Sequence, residues 1–180
     1  MRSLLINVIG FQLCWLGLVL QWPLAMPIAA AYLLWHGLVV ADASERRLLV
    51  LVALGGILMD GLLTTLGVFR FQPDPLWIPL WLAFLWVVFA TTLKHSLYWA
   101  WTRAWWFIPL SGLGSASSYL AGARLGAVDL PLGYALTTLI LLCVWSLFWT
   151  ALWLSHRRDA RSRNTHAAPS DQNQDPASLP

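Results

Sequence analysis

Apolar residues fall into six long runs that are separated by short polar stretches. The runs cover residues 4–22, 24–41, 48–68, 76–93, 104–122 and 130–154. Each is close to the roughly 20 residues that a helix needs to cross the hydrocarbon core of a bilayer. Because the connections are short, successive helices must run antiparallel. The pattern predicts an all-α fold, a polytopic six-helix transmembrane bundle with up-down topology.

Positive charge is distributed unequally between the two ends of this predicted bundle. Six crossings put both termini on one side, and nine of the eleven Lys and Arg residues lie there. Only Arg70 and Arg124 lie on the opposite side. Cytoplasmic loops of membrane proteins carry the excess of Lys and Arg. We therefore expect both the N- and the C-terminus to be cytoplasmic.

Composition divides the chain into two parts. With 59% hydrophobic and only 11% charged residues, the chain has too little polar surface for a water-soluble domain. Residues 1–155 are predicted to form one transmembrane domain. Residues 156–180 are polar and have almost nothing to bury, so they are predicted to be a disordered cytoplasmic tail. The net charge of +3 comes largely from arginines beside the last run, which indicates contact with membrane lipids and no nucleic-acid partner.

Polar residues at the ends of the runs indicate local contacts. Asp42 followed by Glu45 predicts a capping box at the start of the third helix. On the opposite side, Arg70 could pair with Asp74, and Arg124 could pair with Asp129. Such exposed ion pairs contribute little to stability.

Asp60 lies deep within the third run and is the only carboxylate at such depth. An ionisable group there costs a few kcal/mol at least, so it should face the bundle interior and have a partner. Helical spacing puts Gly56, Asp60, Thr64 and Gly67 on one stripe, which suits close helix contact or a narrow cavity. Two interpretations stay open, a structural Asp that joins helices and a functional intramembrane acid.

The first run carries two amide side chains, Asn7 and Gln12. They are five positions apart and point to different faces of a helix, so only one can face the same cavity as Asp60. Gln12 lies at about the depth of Asp60 and is the expected partner, whereas Asn7 lies nearer the cytoplasm. Interhelical amide hydrogen bonds are common in helix packing, which is the alternative role for both residues.

The fifth run is rich in small residues, unlike its neighbours. Gly114, Ser118, Gly122 and Gly126 repeat every four positions, which predicts a ridge for close helix packing. Ser115 and Ser118 could instead line a polar pocket. A serine nucleophile would need a base within reach, and no His lies on this run or at its depth.

Two histidines outside the tail, His36 and His95, both fall toward the cytoplasmic side. A paired haem or metal site is therefore geometrically conceivable. Membrane di-iron enzymes use many clustered histidines, which this chain lacks. The sequence predicts no metal site and no cofactor.

Several short motifs together resemble an uncharacterised family, DUF2878. These motifs are Asn7 with Phe11-Gln12 and Trp15, Asp60 with Gly67-Val68, Pro79-Leu80-Trp81 with Phe89-Ala90, Ser96-Leu97, and Tyr119-Leu120-Ala121-Gly122 with Leu125-Gly126-Ala127-Val128. The resemblance implies a small protein of the bacterial inner membrane. It also implies an association with lipid-modifying enzymes or other membrane proteins. Tyr119, which belongs to these motifs, joins the candidate polar site around Asp60. No activity follows from the family name.

Two functions remain open at this point. The first is an accessory or scaffold protein linked to membrane lipid metabolism or envelope stress, because no catalytic constellation is visible. The second is a small transporter or membrane-embedded enzyme with a central polar site at Asp60, Gln12, Ser115 and Ser118. Of the two, the sequence favours the non-enzymatic function.

Overall fold

A computed structural model describes residues 2–72, 75, 77–103 and 105–166. The helices are α1 (Arg2–Val19), α2 (Ala25–Trp35), α3 (Ala43–Thr65), α4 (Leu80–Ala90), α5 (Tyr98–Arg103), α6 (Phe107–Arg124) and α7 (Gly133–His166). A π-helical turn, His36–Val40, continues α2. Apart from one antiparallel bridge between Arg70 and Asp129, the described residues form no strand. The predicted all-α class is confirmed.

Two helices are long and apolar enough to cross a membrane, over Ala43–Thr65 and Gly133–Arg158. The other strongly apolar helices, over Leu4–Val19, Ala25–Val40 and Leu80–Ala90, are shorter. All five of these helices are apolar, as the sequence predicted. Six complete crossings stay a prediction.

The fourth run differs from its predicted extent. A helix was predicted over residues 76–93, but α4 has only 11 residues, which span about 16 Å against a hydrocarbon core of roughly 30 Å. Pro79 precedes its first turn in an extended conformation. At the other end, the hydroxyls of Thr91 and Thr92 donate to the carbonyls of Val88 and Phe89. The chain then turns over residues 91–97 instead of continuing the helix.

The last helix is longer than predicted. It continues to His166, so the boundary predicted between residues 155 and 156 falls inside α7. Residues 167–180 lie outside the described part of the chain, and disorder there stays a prediction.

The short helix α4 lies at the centre of the packing. It contacts α1, α2 and α3, and α6 packs along α7. One apolar core joins α3, α4, α6 and α7, and a second joins α1, α2 and α4. Leu82, Trp86, Val88 and Ala90 of α4 are all buried. A helix that is apolar on every face, as α4 is, belongs inside a bundle.

Helices α3 and α6 end in the same way and meet beyond their ends. Gly67 and Gly126 follow them with φ of 74° and 79°, a left-handed conformation that glycine adopts without strain. The backbones of Arg70 and Asp129 then exchange two hydrogen bonds, of 3.0 and 2.7 Å. The predicted ion pair between Arg124 and Asp129 does not form among the described residues. Asp74, the predicted partner of Arg70, lies outside them.

Candidate functional site

Asp60, in the second half of α3, is fully buried. The indole Nε1–H of Trp86 on α4 donates to its Oδ2 at 2.7 Å. The hydroxyl of Tyr119 on α6 contacts both carboxylate oxygens, at 2.9 and 2.8 Å. This carboxylate therefore joins three helices through two donors, and neither of its oxygens is left without one.

Gly56 makes the contact between Trp86 and Asp60 sterically possible. It lies one turn before Asp60, and a Cβ atom at this position would lie 2.0 Å from the Trp86 ring. The two donor rings are held by other aromatic rings. Trp86 stacks on Trp145 with centroids 5.2 Å apart, and Tyr119 stacks on Phe69 at 5.0 Å. The donors are thus fixed in place by packing as well as by the hydrogen bonds.

The other predicted polar residues of the site do not contact the carboxylate. Gln12 makes no hydrogen bond to Asp60, so the prediction that Gln12 is the partner of Asp60 is wrong. The Thr64 hydroxyl donates to the backbone carbonyl of Asp60 at 2.8 Å, an intrahelical bond. The donors to Asp60 are instead Trp86 and Tyr119. Each combines an N–H or O–H donor with an aromatic ring that packs in an apolar core.

A groove of about 480 Å³ lies beside this site, lined by α1, α6 and α7. It brings Gln12, Ser115 and Ser118 to one space, together with Gly114. The indole N–H of Trp149 donates to the Ser115 hydroxyl at 3.4 Å. Three of the predicted polar residues are therefore neighbours, but they line the groove and not the carboxylate of Asp60.

The small residues of α6 only partly serve helix packing. A Cβ atom added at Gly114 would meet no atom within 4 Å, and one at Gly122 would make an ordinary contact of 3.9 Å with Val128. Gly126 lies beyond the helix in the left-handed turn. The close approach to α7 occurs instead at Gly112, where a Cβ atom would lie 2.7 Å from the Ser146 hydroxyl. The predicted ridge is therefore displaced to another face of the helix.

A smaller cavity of about 70 Å³ lies between the groove and the Asp60 site. Trp86, Ser118, Tyr119 and Trp145 contribute to its apolar wall. Trp145 lines both spaces, and its buried indole nitrogen has no hydrogen-bond partner among the described residues. Asp60 itself lines neither space.

A second polar cluster begins at Asn7, at the other end of the helices. The Asn7 amide nitrogen donates to the Thr91 carbonyl and the Tyr32 hydroxyl, both at 3.2 Å. The Ser96 hydroxyl donates to the amide oxygen at 2.7 Å. Asn7 therefore connects α1 and α2 to the turns after α4, and it is distant in the fold from Asp60.

His36, Glu45 and His95 meet beside this network. Oε1 of Glu45 lies 2.9 Å from Nε2 of His36 and 3.0 Å from Nε2 of His95. Within the described ranges, these three side chains are the one group of His, Cys, Asp and Glu residues whose donor atoms could hold a metal ion. One of the two hydrogen bonds of the predicted capping box forms, because Asp42 accepts the backbone N–H of Glu45 at 2.7 Å. The Glu45 side chain contacts the two histidines instead of the backbone N–H of Asp42.

Sequence reasoning missed Trp86 and Glu45 for the same reason. Trp86 is an apolar residue within a long apolar run, which packing alone explains, and Glu45 was already explained as part of a helix cap. The available signal was depth. Trp86 lies as deep in its run as Asp60 does, and Glu45 lies at the same end of the predicted bundle as His36 and His95.

Comparison of the chain with known proteins identifies a family but no individual relative. No curated protein and no solved structure matches the chain. A family model described as "Protein of unknown function (DUF2878)" matches residues 4–151. This range contains all the motifs that carry the resemblance in the sequence, from Asn7 to Val128. The chain therefore belongs to the DUF2878 family of proteins of unknown function.

Proposed function

We propose that this chain is a multi-pass protein of the bacterial inner membrane with six crossings and cytoplasmic termini. Two features of the fold support this topology. The Lys94 ammonium contacts the Asp42 carboxylate at 3.3 Å, so the second and fourth connections meet at one end. The Arg70–Asp129 bridge joins the third and fifth connections. This grouping of alternate connections is what an up-down bundle requires.

Within that membrane, we propose that it acts as an accessory or scaffold protein in membrane lipid metabolism or envelope stress. The observation that carries this proposal is the closure of the Asp60 site. Its carboxylate has no exposed surface and receives donors on both oxygens. A general base or an ion-binding carboxylate needs a free oxygen within reach of its substrate. Asp60 instead holds three helices together.

A membrane lipid is the proposed partner of the groove. Most of its wall is formed by aromatic and aliphatic side chains, and hydroxyls of Ser115 and Ser118 lie among them. An acyl chain has the chemistry to pack against such rings. The groove then provides the contact between this protein and the lipids on which a lipid-modifying enzyme acts.

The test of the accessory role compares Asp60→Asn with Asp60→Leu. Asparagine keeps the size and an acceptor oxygen but does not ionise, whereas leucine removes every polar contact. We expect Asp60→Asn to keep the thermal stability in detergent and to rescue a deletion strain under membrane stress. We expect Asp60→Leu to lower stability, because it leaves buried donors of Trp86 and Tyr119 unpaired.

Gly55→Ala is the matched control, since this residue lies on the exposed side of the same helix and a Cβ there meets nothing within 4 Å. A stable Asp60→Asn protein that fails to rescue the deletion strain would contradict the accessory role. It would mean that the ability of Asp60 to ionise matters for function.

The second candidate is a small transporter or membrane-embedded enzyme, and the polar side of the groove favours it. Gln12, Ser115 and Ser118 line one space, and their side chains can donate hydrogen bonds to a bound molecule. A solute with acceptor groups would fit these side chains better than an acyl chain does.

Gly114→Leu distinguishes the two candidates, because Gly114 lines the groove and a Cβ atom at this position meets nothing within 4 Å. The measurement is mass spectrometry of small molecules that co-purify with wild type and variant. A lipid that is lost in Gly114→Leu supports the accessory protein, and a polar solute that is lost supports the transporter or enzyme. Gly55→Leu, an equal change on the exposed face of α3, should retain either ligand.

A further inference from the structure

Three side chains from separate parts of the chain converge at the end of the bundle that carries Asp42 and Lys94. His36 begins the π-helical turn after α2, Glu45 lies in the first turn of α3, and His95 lies in the turns after α4. His36 and Glu45 are buried, with 2% and 4% of their surface exposed. The two imidazole rings stand almost perpendicular, with centroids 5.2 Å apart.

His36 lies in a local backbone distortion, the π-helical turn after α2. The backbone N–H of Ala41 bonds to the carbonyl of His36 at 2.8 Å, a π-type hydrogen bond. The Arg46 guanidinium fastens the end of this turn by donating to the Ala41 carbonyl at 2.6 Å. Insertions of this kind are rare in helices and occur frequently at functional sites.

Charge balance also sets the cluster apart. A buried carboxylate is costly unless hydrogen-bond donors, a cation or a metal ion compensate its charge. The cations next in sequence to Glu45 and His95, which are Arg46 and Lys94, have other partners. Arg46 is bound to the backbone carbonyl of Ala41, and Lys94 contacts Asp42 and Ser44. The Asp42 carboxylate, which accepts the backbone N–H of Glu45 at 2.7 Å, is the ionic partner of Lys94. Glu45 is thereby left with two imidazoles.

From this geometry we propose that His36, Glu45 and His95 bind a divalent first-row transition-metal ion. Two imidazoles and one carboxylate are a set that Zn²⁺ and Fe²⁺ accept, with at least one coordination position left open. Ligand atoms about 2.1 Å from a tetrahedral ion lie roughly 3.4 Å from one another. The donor atoms already lie within 4.8 Å of one another, so small side-chain movements suffice.

The site has a rigid base and an accessible side. Ser96, next to His95, donates to Asn7, and Tyr32 on α2 contacts Thr91 at 3.2 Å. These bonds fix the turns that carry His95 against α1 and α2. The side chain of His95 retains 23% exposure, so an ion reaches the cluster from this side. On the proposed topology that side faces the cytoplasm.

The experiment uses the full chain in detergent, without an affinity tag and after dialysis against a chelator. Zn²⁺ and Co²⁺ are titrated while the melting temperature and the Co²⁺ visible absorption are recorded. We expect one ion per chain, a rise in melting temperature, and Co²⁺ bands typical of nitrogen and oxygen ligands. Mg²⁺ should cause no rise, because it prefers all-oxygen octahedral sites.

Glu45→Gln and His95→Gln are the test variants, and His156→Gln is the control, because it removes a histidine outside the cluster. Loss of an outer-shell partner already weakens metal binding by about 10- to 100-fold, so loss of a ligand should weaken it by at least about tenfold. His95→Gln is the more informative variant, because a partly exposed residue is the less disruptive one to replace. His156→Gln should bind as wild type does.

Two outcomes would overturn the proposal. The first is a wild-type melting temperature that no transition metal raises, which would leave the three side chains as a hydrogen-bonded cluster alone. The second is metal binding that survives in both test variants and falls in His156→Gln, which would assign the ion to the C-terminal part of α7. Both outcomes are independent of the groove and of Asp60.

Discussion

At the scale of single residues, the contact between Gly56 and Trp86 decides whether Asp60 keeps its indole donor. An added methyl group at position 56 would overlap the ring, so either the ring or the helix must move. A displaced ring leaves Asp60 with the Tyr119 hydroxyl alone. The absence of a side chain at one position of α3 thus permits a hydrogen bond between α4 and another position of α3.

We therefore expect Gly56→Ala to destabilise the protein by about 1 to 3 kcal/mol through overpacking. Gly55→Ala is the matched control at the next position of the same helix. It adds the same methyl group in open space and should leave stability unchanged or raise it by up to about 1 kcal/mol, as alanine does in helices. Thermal unfolding in detergent measures both. Equal melting temperatures for the two variants would contradict the close contact.

Tyr119→Phe tests the second donor to Asp60. It removes one hydroxyl and keeps the ring that stacks on Phe69. We expect a loss of about 1 to 3 kcal/mol, because the buried carboxylate then retains only Trp86. In an Asp60→Leu background the same change should cost much less, since its acceptor is gone. An equal loss in both backgrounds would assign the effect to packing.

The depth of Asp60 made its burial and its need for a partner predictable from sequence. The identity of the partner was not predictable, because it depends on how α4 and α6 are rotated about their axes. Gln12 was the polar side chain at the right depth, yet its helix presents it to the groove. Tyr119 was included in the candidate site through the family motifs, whereas Trp86 was overlooked because an indole satisfies an apolar core equally well.

At the scale of elements, the sequence predicted some helix ends and not others. The sequence predicted where α3 begins, since the Asp42 cap is a local signal. It overestimated the fourth run, because apolar residues continue through the turns after α4 and hydropathy alone does not register a helix end. At that end, the hydroxyls of Thr91 and Thr92 bond to carbonyls of the last turn.

The glycine caps of α3 and α6 give a prediction at this scale. Gly126→Ala places a methyl group on a residue with φ of 79° and should cost about 1 to 2 kcal/mol, the penalty of the left-handed conformation. Gly114→Ala, in the interior of the same helix, is the control and should cost nothing. Chemical or thermal unfolding in detergent measures the difference. A harmless Gly126→Ala would contradict the observed cap.

At the scale of the whole molecule, alternate connections meet at opposite ends. Charge asymmetry in the sequence already indicates which end is which, because nine of eleven basic residues belong to one of them. What the sequence did not reveal is that His36, Glu45 and His95 share that end in direct contact. Glu45 is 9 residues from His36 and 50 residues from His95. These separations alone do not predict a contact, which depends on how the helices pack.

Reporter fusions test the proposed topology directly. Fusions after Arg46, Arg103 and Arg158 should report a cytoplasmic location, and fusions near Asp74 and Asp129 a periplasmic one. Paired reporters that are active on opposite sides of the membrane give the measurement, and each serves as the control for the other. A periplasmic C-terminus would rule out six crossings.

The hydrogen bonds of Asp60 also imply an order of events during synthesis. Trp86 is made 26 residues after Asp60 and Tyr119 59 residues after it. At synthesis rates of about 5 to 20 residues per second, the second delay is about 3 to 12 s. On the proposed topology, the third helix therefore enters the bilayer with its acid still lacking donors, and it then carries the cost of an unpaired intramembrane acid, a few kcal/mol. Quality-control proteases would encounter the chain in this interval, so damage to Tyr119 would reduce the amount of protein delivered before it affected the finished fold.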